Sequence, residues 1–203
     1  MALGANIFNT VETEHMQKKT YLWLILVFGL ITIMGCTSSQ TKVEIHEHAD
    51  FKVYLNGEQY NFSQEKYMDA NEEIRGEHTD LHDLNGDAIH KHSSGVTLEI
   101  FFESLKMKFN STCFVTDNLT SYCNSGDKQI KLYVNGVENH LYEKYLVKDL
   151  DRILITYGDE NQDKINRQFN SVTDKACIYS EKCPERGVPP DESSCSGQGV
   201  CRA

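Results

Sequence analysis

The sequence predicts an α+β domain: antiparallel β-hairpins packed by one or two helices, weakly duplicated within itself and ending in a disulfide-held tail. Three observations predict it. Apolar and polar residues alternate through residues 43–55, the period of a strand. Asn-Gly pairs at 56–57 and 135–136 supply tight hairpin turns, because both residues tolerate positive φ. Leu98, Phe101, Phe102 and Leu105 fall at i, i+3, i+4 and i+7, one face of a helix.

The N-terminus comes before any of these. Residues 21–35, YLWLILVFGLITIMG, are uncharged and apolar, behind Lys18 and Lys19 and ahead of Cys36. As a helix this run rises about 22 Å, short of a bilayer core of about 30 Å. The pattern is that of a signal peptide. Its end, Ile33-Met34-Gly35-Cys36, resembles a lipobox, in which Cys36 is lipidated and becomes the first mature residue. Met16 begins a lipoprotein signal of ordinary length, so residues 1–15 read as an overcalled start. An uncleaved anchor helix is the alternative. Either way the remainder lies outside the cytoplasm, held at the membrane. Residues 1–35 are then the targeting segment, 36–42 a polar tether, 43–173 the domain and 174–203 a Cys-rich tail.

In the first strand Val43, Ile45, Ala49, Phe51, Val53 and Leu55 take one face, which only Glu47 interrupts. His46, His48, Asp50, Lys52 and Tyr54 take the other, outward face. The return strand runs from about Glu58 to Phe62, and Ser63 is placed to cap a helical turn before Tyr67. Next comes EHTDLHDLNGDAIHKH, residues 77–92. A three-residue loop at 84–86 pairs Leu81 with Ile89 and His78 with His92, with Gly86 in the left-handed position. That register sets His78, Asp80, His82, His90 and His92 on one face; a slip of one residue would split them. Met107-Lys108-Phe109 resumes a strand after the helix. Residues 129–147 repeat the Lys-x-Tyr-x-Asn-Gly and Glu-Lys-Tyr of residues 50–68, a weak duplication whose second copy keeps only His140. Residues 152–157, RILITY, form a buried strand, and a helix from Asp159 runs through Ile165, Phe169 and Val172.

The chain has seven cysteines. Setting Cys36 aside leaves Cys113, Cys123, Cys177, Cys183, Cys195 and Cys201, an even set that reads as disulfides in an exported protein. A hairpin closed by Cys113–Cys123 is expected; the connectivity is otherwise open. No CxxC occurs, which weakens a thioredoxin-type redox reading. Asn61, Asn110 and Asn118 sit in permissive N-x-S/T sequons. A formal net charge of −10 argues against nucleic acid as a partner. A protein partner is not legible.

Six of the eight histidines lie between residues 46 and 92. His-x-His in a strand puts two rings on one face about 6.5–7 Å apart, and a paired strand lies about 4.8 Å away. His46, His48, His78, His82, His90 and His92 are therefore candidate metal ligands. Asp50, Asp80, Asp83 and Asp87 are near enough in sequence to complete the shell or orient the rings. Imidazole and carboxylate without a free thiol favour copper or zinc. The plain alternative is a solvated polar strand face.

HEHADFKVYLNG and HDLNGDAIHKH, followed by FFESL, resemble a family of extracytoplasmic proteins of unassigned biochemistry. Its pattern is HxH, a strand, NG, then HTHD-x-SG-x-IH-x-E and an FF helix. His46, His48, His82, Asp83, Gly86, Ile89 and His90 match. Asp80 stands where the pattern has its first His, His92 where it has Glu, and one extra residue lies near the turn. Together with DLDRILITYG and CIYSEKCPERG, the chain is similar to small exported archaeal His-rich lipoprotein-like proteins, some labelled protein-disulfide isomerase.

These features predict a lipid-anchored, extracytoplasmic copper- or zinc-binding protein for binding, delivery or sensing. No nucleophile–base set is visible, so catalysis is not the expectation. A thiol–disulfide oxidoreductase and an adhesion module are the competing classes. Metal-dependent hydrolysis would need Glu47 or Glu77 as base.

Overall fold

The computed structural model describes residues 45–69, 71 and 78–189, and the backbone of 195–196 and 200–201. The targeting run, Cys36, the tether and Glu77 lie outside these residues. Among the described residues no helix is long and apolar enough to cross a membrane.

A seven-stranded sheet carries the fold. Its strands are β1 (Glu47–Leu55), β2 (Glu58–Gln59), β3 (Thr79–Asp80), β4 (Ala88–Lys91), β8 (Gln129–Val134), β9 (Val137–Glu138) and β10 (Arg152–Gly158). The order is β3-β4-β1-β10-β8-β9, with β2 paired to β1. Every neighbouring pair is antiparallel except β1 and β10, which run parallel with Phe51 opposite Ile153. The α+β class therefore holds, but the sheet is mixed. Its central parallel pair joins residues about a hundred positions apart, which no local pattern announces.

The duplication is real in three dimensions. Each copy is a strand, an Asn-Gly turn, a two-residue return strand and a 3₁₀ turn, at Glu65–Tyr67 and Tyr142–Lys144. The turns have φ of +52° and +86° at Asn56-Gly57, and +53° and +83° at Asn135-Gly136. Two positive φ values define the type I′ turn that matches strand twist. The return strand after Gly57 ends at Gln59, earlier than the pattern suggests. Ser63 does not cap the 3₁₀ turn. Its Oγ instead accepts the Gly86 N–H at 3.1 Å.

One face of the sheet holds the main core. Ala49, Phe51, Val53 and Leu55 of β1, Ile153 and Ile155 of β10, and Leu132 of β8 are all buried there. Helix α1 (Leu98–Ser104) seals it, with Leu98, Phe101 and Phe102, and Leu105 just after, fully inside. Thr97 caps α1 by accepting the Ile100 N–H at 3.3 Å. A small sheet of β5 (Lys108–Phe109), β6 (Cys113–Val115) and β7 (Ser121–Cys123) adds Phe109 and Phe114 to this core. The Cys113–Cys123 disulfide closes β6 on β7, where the two residues are directly opposite. Glu47, the one exception on the apolar face, is answered by Lys91. Its Nζ reaches Glu47 Oε2 at 2.6 Å and the Val147 carbonyl at 2.7 Å.

The other face is covered as well. Leu154 and Tyr133 meet Ile165 and Phe169 of helix α2 (Gln162–Ser171), which Asn161 caps through the Lys164 N–H. Arg152 stacks over Phe169 at 4.8 Å and donates to the carbonyls of Val172 and Thr173, fastening the helix end. Helix α3 (Ala176–Tyr179) then lies over β1. The outward face of β1 predicted from alternation is thus not a solvent face at its histidine end: His48 and Asp50 are buried. Tertiary cover has overridden the two-sided pattern.

Candidate metal centre

Three adjacent strands set up the site. His48 of β1 lies opposite His90 of β4, and His90 lies opposite Asp80 of β3. A row of His48, His90 and Asp80 therefore crosses the sheet edge on one face. His46 and His92, just beyond the ends of β1 and β4 and two residues from His48 and His90, continue on that face. The β3–β4 hairpin has the predicted register, since Thr79 faces Lys91 and the His92 N–H bonds the His78 carbonyl at 2.9 Å.

The tip of that hairpin differs. Asp83 and Leu84, both at φ +56°, occupy the left-handed region in place of Gly86. Gly86 serves another purpose: a Cβ there would sit 2.3 Å from the Ser63 nitrogen and 2.4 Å from the Phe62 carbonyl carbon. It is glycine because the β2–3₁₀ connection passes against its backbone.

His90 is the hub. Its ring centroid lies 4.5 Å from His48, 4.7 Å from His46, 4.6 Å from His82 and 4.2 Å from His92. Two groups of three ligand atoms result, each with all atoms within 4.8 Å: His46, His48, His90, and Asp80, His90, His92. His46 is exposed and opens the first group to solvent, while His48 and His90 are buried. His82 belongs to neither group but its ring abuts His90. His78 is exposed and also belongs to neither. His140 is exposed and lies apart from both groups, its ring 6.4 Å from that of Tyr142.

The four aspartates divide their roles. Asp80 joins the second group and its Oδ2 holds His92 Nε2 at 2.8 Å. Its Oδ1 is buried, makes no hydrogen bond to a described residue and lies 3.6 Å from His90 Nδ1. Asp83 Oδ2 holds His82 Nδ1 at 2.8 Å. Asp87 is neutralised by Lys52 at 2.9 Å. Asp50 accepts the Lys175 and Ala176 N–H groups at 3.1 and 2.8 Å and the Thr173 hydroxyl, so it caps α3.

Proton bookkeeping decides which nitrogen of His48 is available. The Ser180 hydroxyl donates to Asp149 Oδ1 at 2.6 Å, since a carboxylate can only accept. Burial pushes the Asp149 carboxyl up, but hydrogen bonds from Lys182, Ser180 and the His48 N–H outweigh it and hold the acid below the usual range, ionised. With its one proton committed, Ser180 Oγ must accept from His48 Nδ1 at 3.1 Å. Nδ1 therefore carries the proton and Nε2 the lone pair. Asp83 imposes the same tautomer on His82, and Asp80 fixes the opposite one on His92. A hydroxyl behind His48 and a carboxylate behind His82 is the arrangement that orients metal-binding imidazoles.

Asp149, Tyr179 and Ser180 were not candidates from sequence. They sit in DLDRILITYG and CIYSEKCPERG, the two segments outside the histidine region that carry the longer resemblance. Tyr179 places its ring 5.5 Å from His48. The Cys177–Cys183 disulfide ties the ends of this short segment over the site. With Cys113–Cys123, it accounts for all four cysteines whose side chains are described. Cys195 and Cys201 are directly opposite in the β11 (Cys195–Ser196) and β12 (Val200–Cys201) pair; their side chains lie outside the description. Glu47, a candidate hydrolytic base, is held by Lys91.

The class defined by this fold and site is an α+β domain with histidine–aspartate groupings able to hold a metal ion. Comparison with protein-family models, curated proteins and solved structures finds no significant match, so the chemistry is read from the site itself.

Proposed function

We propose that this chain is an exported, membrane-tethered metal-binding protein that holds copper or zinc for binding, delivery or sensing. The observation that carries the reading is the convergence of His46, His48 and His90 ligand atoms within 4.8 Å of one another. Imidazole nitrogen suits copper and zinc better than calcium or magnesium, which prefer all-oxygen shells. The paired state of the four described cysteines supports imidazole over thiolate ligation. An exposed His46 above two buried rings gives the ion a route in and out, as delivery or sensing requires. Cys36 as the lipidated residue and a location outside the cytoplasm rest on the signal-like residues 21–36 and on the resemblance to exported archaeal lipoprotein-like proteins.

The test is calorimetric titration of the full-length chain, in detergent, with Zn²⁺ and Cu²⁺ against a competing chelator. The reading predicts saturable binding that weakens in His46→Ala, a change at an exposed position. Absence of saturable binding, or identical curves for wild type and variant, would sink it.

A further inference from the structure

We infer that the site holds two metal ions, seated on opposite sides of the His90 ring, which bridges them. The inference rests on the proposed metal-binding function. Its basis is that His90 belongs to both ligand groups. One imidazole directs its two nitrogens away from each other in the ring plane, so a single ion cannot use both. Nδ1 is on the Asp80 side, 3.6 Å from Oδ1. That leaves Nε2 for the ion of His46 and His48.

The second seat has its own signature. Asp80 is 4% exposed, and its Oδ1 is buried without a hydrogen bond to any described residue. A buried carboxylate oxygen without a donor is costly unless a cation meets it. His92 lies beside it, its Nε2 2.8 Å from Asp80 Oδ2. Lys52, the buried cation on this face of β1, is committed to Asp87. The ion fitting Asp80, His90 and His92 is therefore a divalent cation accepting mixed nitrogen and oxygen ligands, with zinc or copper(II) the matching class. As the second ion binds, His90 gives up its remaining ring N–H proton to solvent and the His92 proton moves from Nε2 to Nδ1 by exchange with water, so that both His90 nitrogens and His92 Nε2 each donate one lone pair to one ion.

The experiment is metal stoichiometry of the full-length chain by native mass spectrometry under Zn²⁺ titration, compared with His92→Gln and Asp80→Asn. Two equivalents in wild type, falling to one in both variants, is the expected result. One equivalent in wild type overturns the bridge but leaves the metal-binding function standing. Binding of neither zinc nor copper overturns the function itself. Two equivalents unchanged in the variants would place the second ion elsewhere and also overturn the inference. Copper(II) gives a second readout that does not depend on variant folding. Loading from one to two equivalents should lower the spin-integrated paramagnetic signal per copper, because a shared imidazolate couples the two spins. An undiminished signal contradicts the bridge.

Discussion

His48 and His90 face each other across the β1–β4 ladder with ring centroids 4.5 Å apart and planes within 20°. His90 also touches three further histidines, whereas His46 sits at the exposed rim. Loss of the hub should therefore cost more than loss of the rim. His90→Ala is expected to weaken Zn²⁺ binding by more than about tenfold, since even an outer partner of a ligand is worth that much. His46→Ala should lose less. Parallel chelator-competition titrations check the ranking, and circular dichroism of both variants controls for folding.

Ser180 acts through His48. With the hydroxyl gone, His48 Nδ1 loses the acceptor that holds its proton, and either tautomer becomes accessible. Ser180→Ala should weaken metal binding by about tenfold to a hundredfold. Ser180→Thr, which keeps the hydroxyl, should recover most of it. Nitrogen-15 chemical shifts of the His48 ring report the tautomer directly. A purely structural role for Ser180 would leave those shifts unmoved.

Gly86→Ala must push a methyl group into the backbone of Phe62 and Ser63. The contact is with main chain, so no rotamer change relieves it. The expected loss is about 1–3 kcal/mol, the range for forced overpacking. Urea unfolding of the variant measures it.

The Tyr60–Tyr67–Asp117–Lys66 cluster makes stability depend on pH. Both tyrosine hydroxyls donate to Asp117 Oδ1, at 3.1 and 2.9 Å, and Lys66 Nζ bonds Oδ2 at 2.6 Å. Burial pushes the Asp117 carboxyl up, but these three donors outweigh it and hold it below the ordinary value. A depressed carboxyl stabilises the fold above the unfolded value of about 3.9 and loses that contribution as pH falls through the folded value. Asp117→Asn should thus cost about 1 kcal/mol at neutral pH, allowing for solvent screening of a partly exposed group. The difference from wild type should shrink below about pH 4. Denaturant midpoints measured at several pH values give both numbers.

Much of this protein is legible locally. The Asn-Gly turns, the α1 face and the Leu81–Ile89 register follow from periodicity and turn chemistry, which act over a few residues. Pairing of two His-x-His strands is one of two arrangements the spacing allows; the β1–β4 ladder realises it. What is not legible depends on long-range cover. The parallel β1–β10 ladder, the burial of His48 and Asp50, and the Asp149–Ser180 support all come from segments about a hundred residues away. Gly86 shows the same limit in miniature: its position suggests a turn, but its reason is a neighbour more than twenty residues earlier.

The most direct test of the metal-centre account is X-ray absorption at the zinc edge on the full-length chain loaded with Zn²⁺ and dialysed. The account predicts retained zinc with a nitrogen and oxygen shell at about 2.0–2.1 Å and the outer-shell scattering of several imidazole rings. A sulfur shell at about 2.3 Å, or loss of both zinc and copper on dialysis, would contradict it.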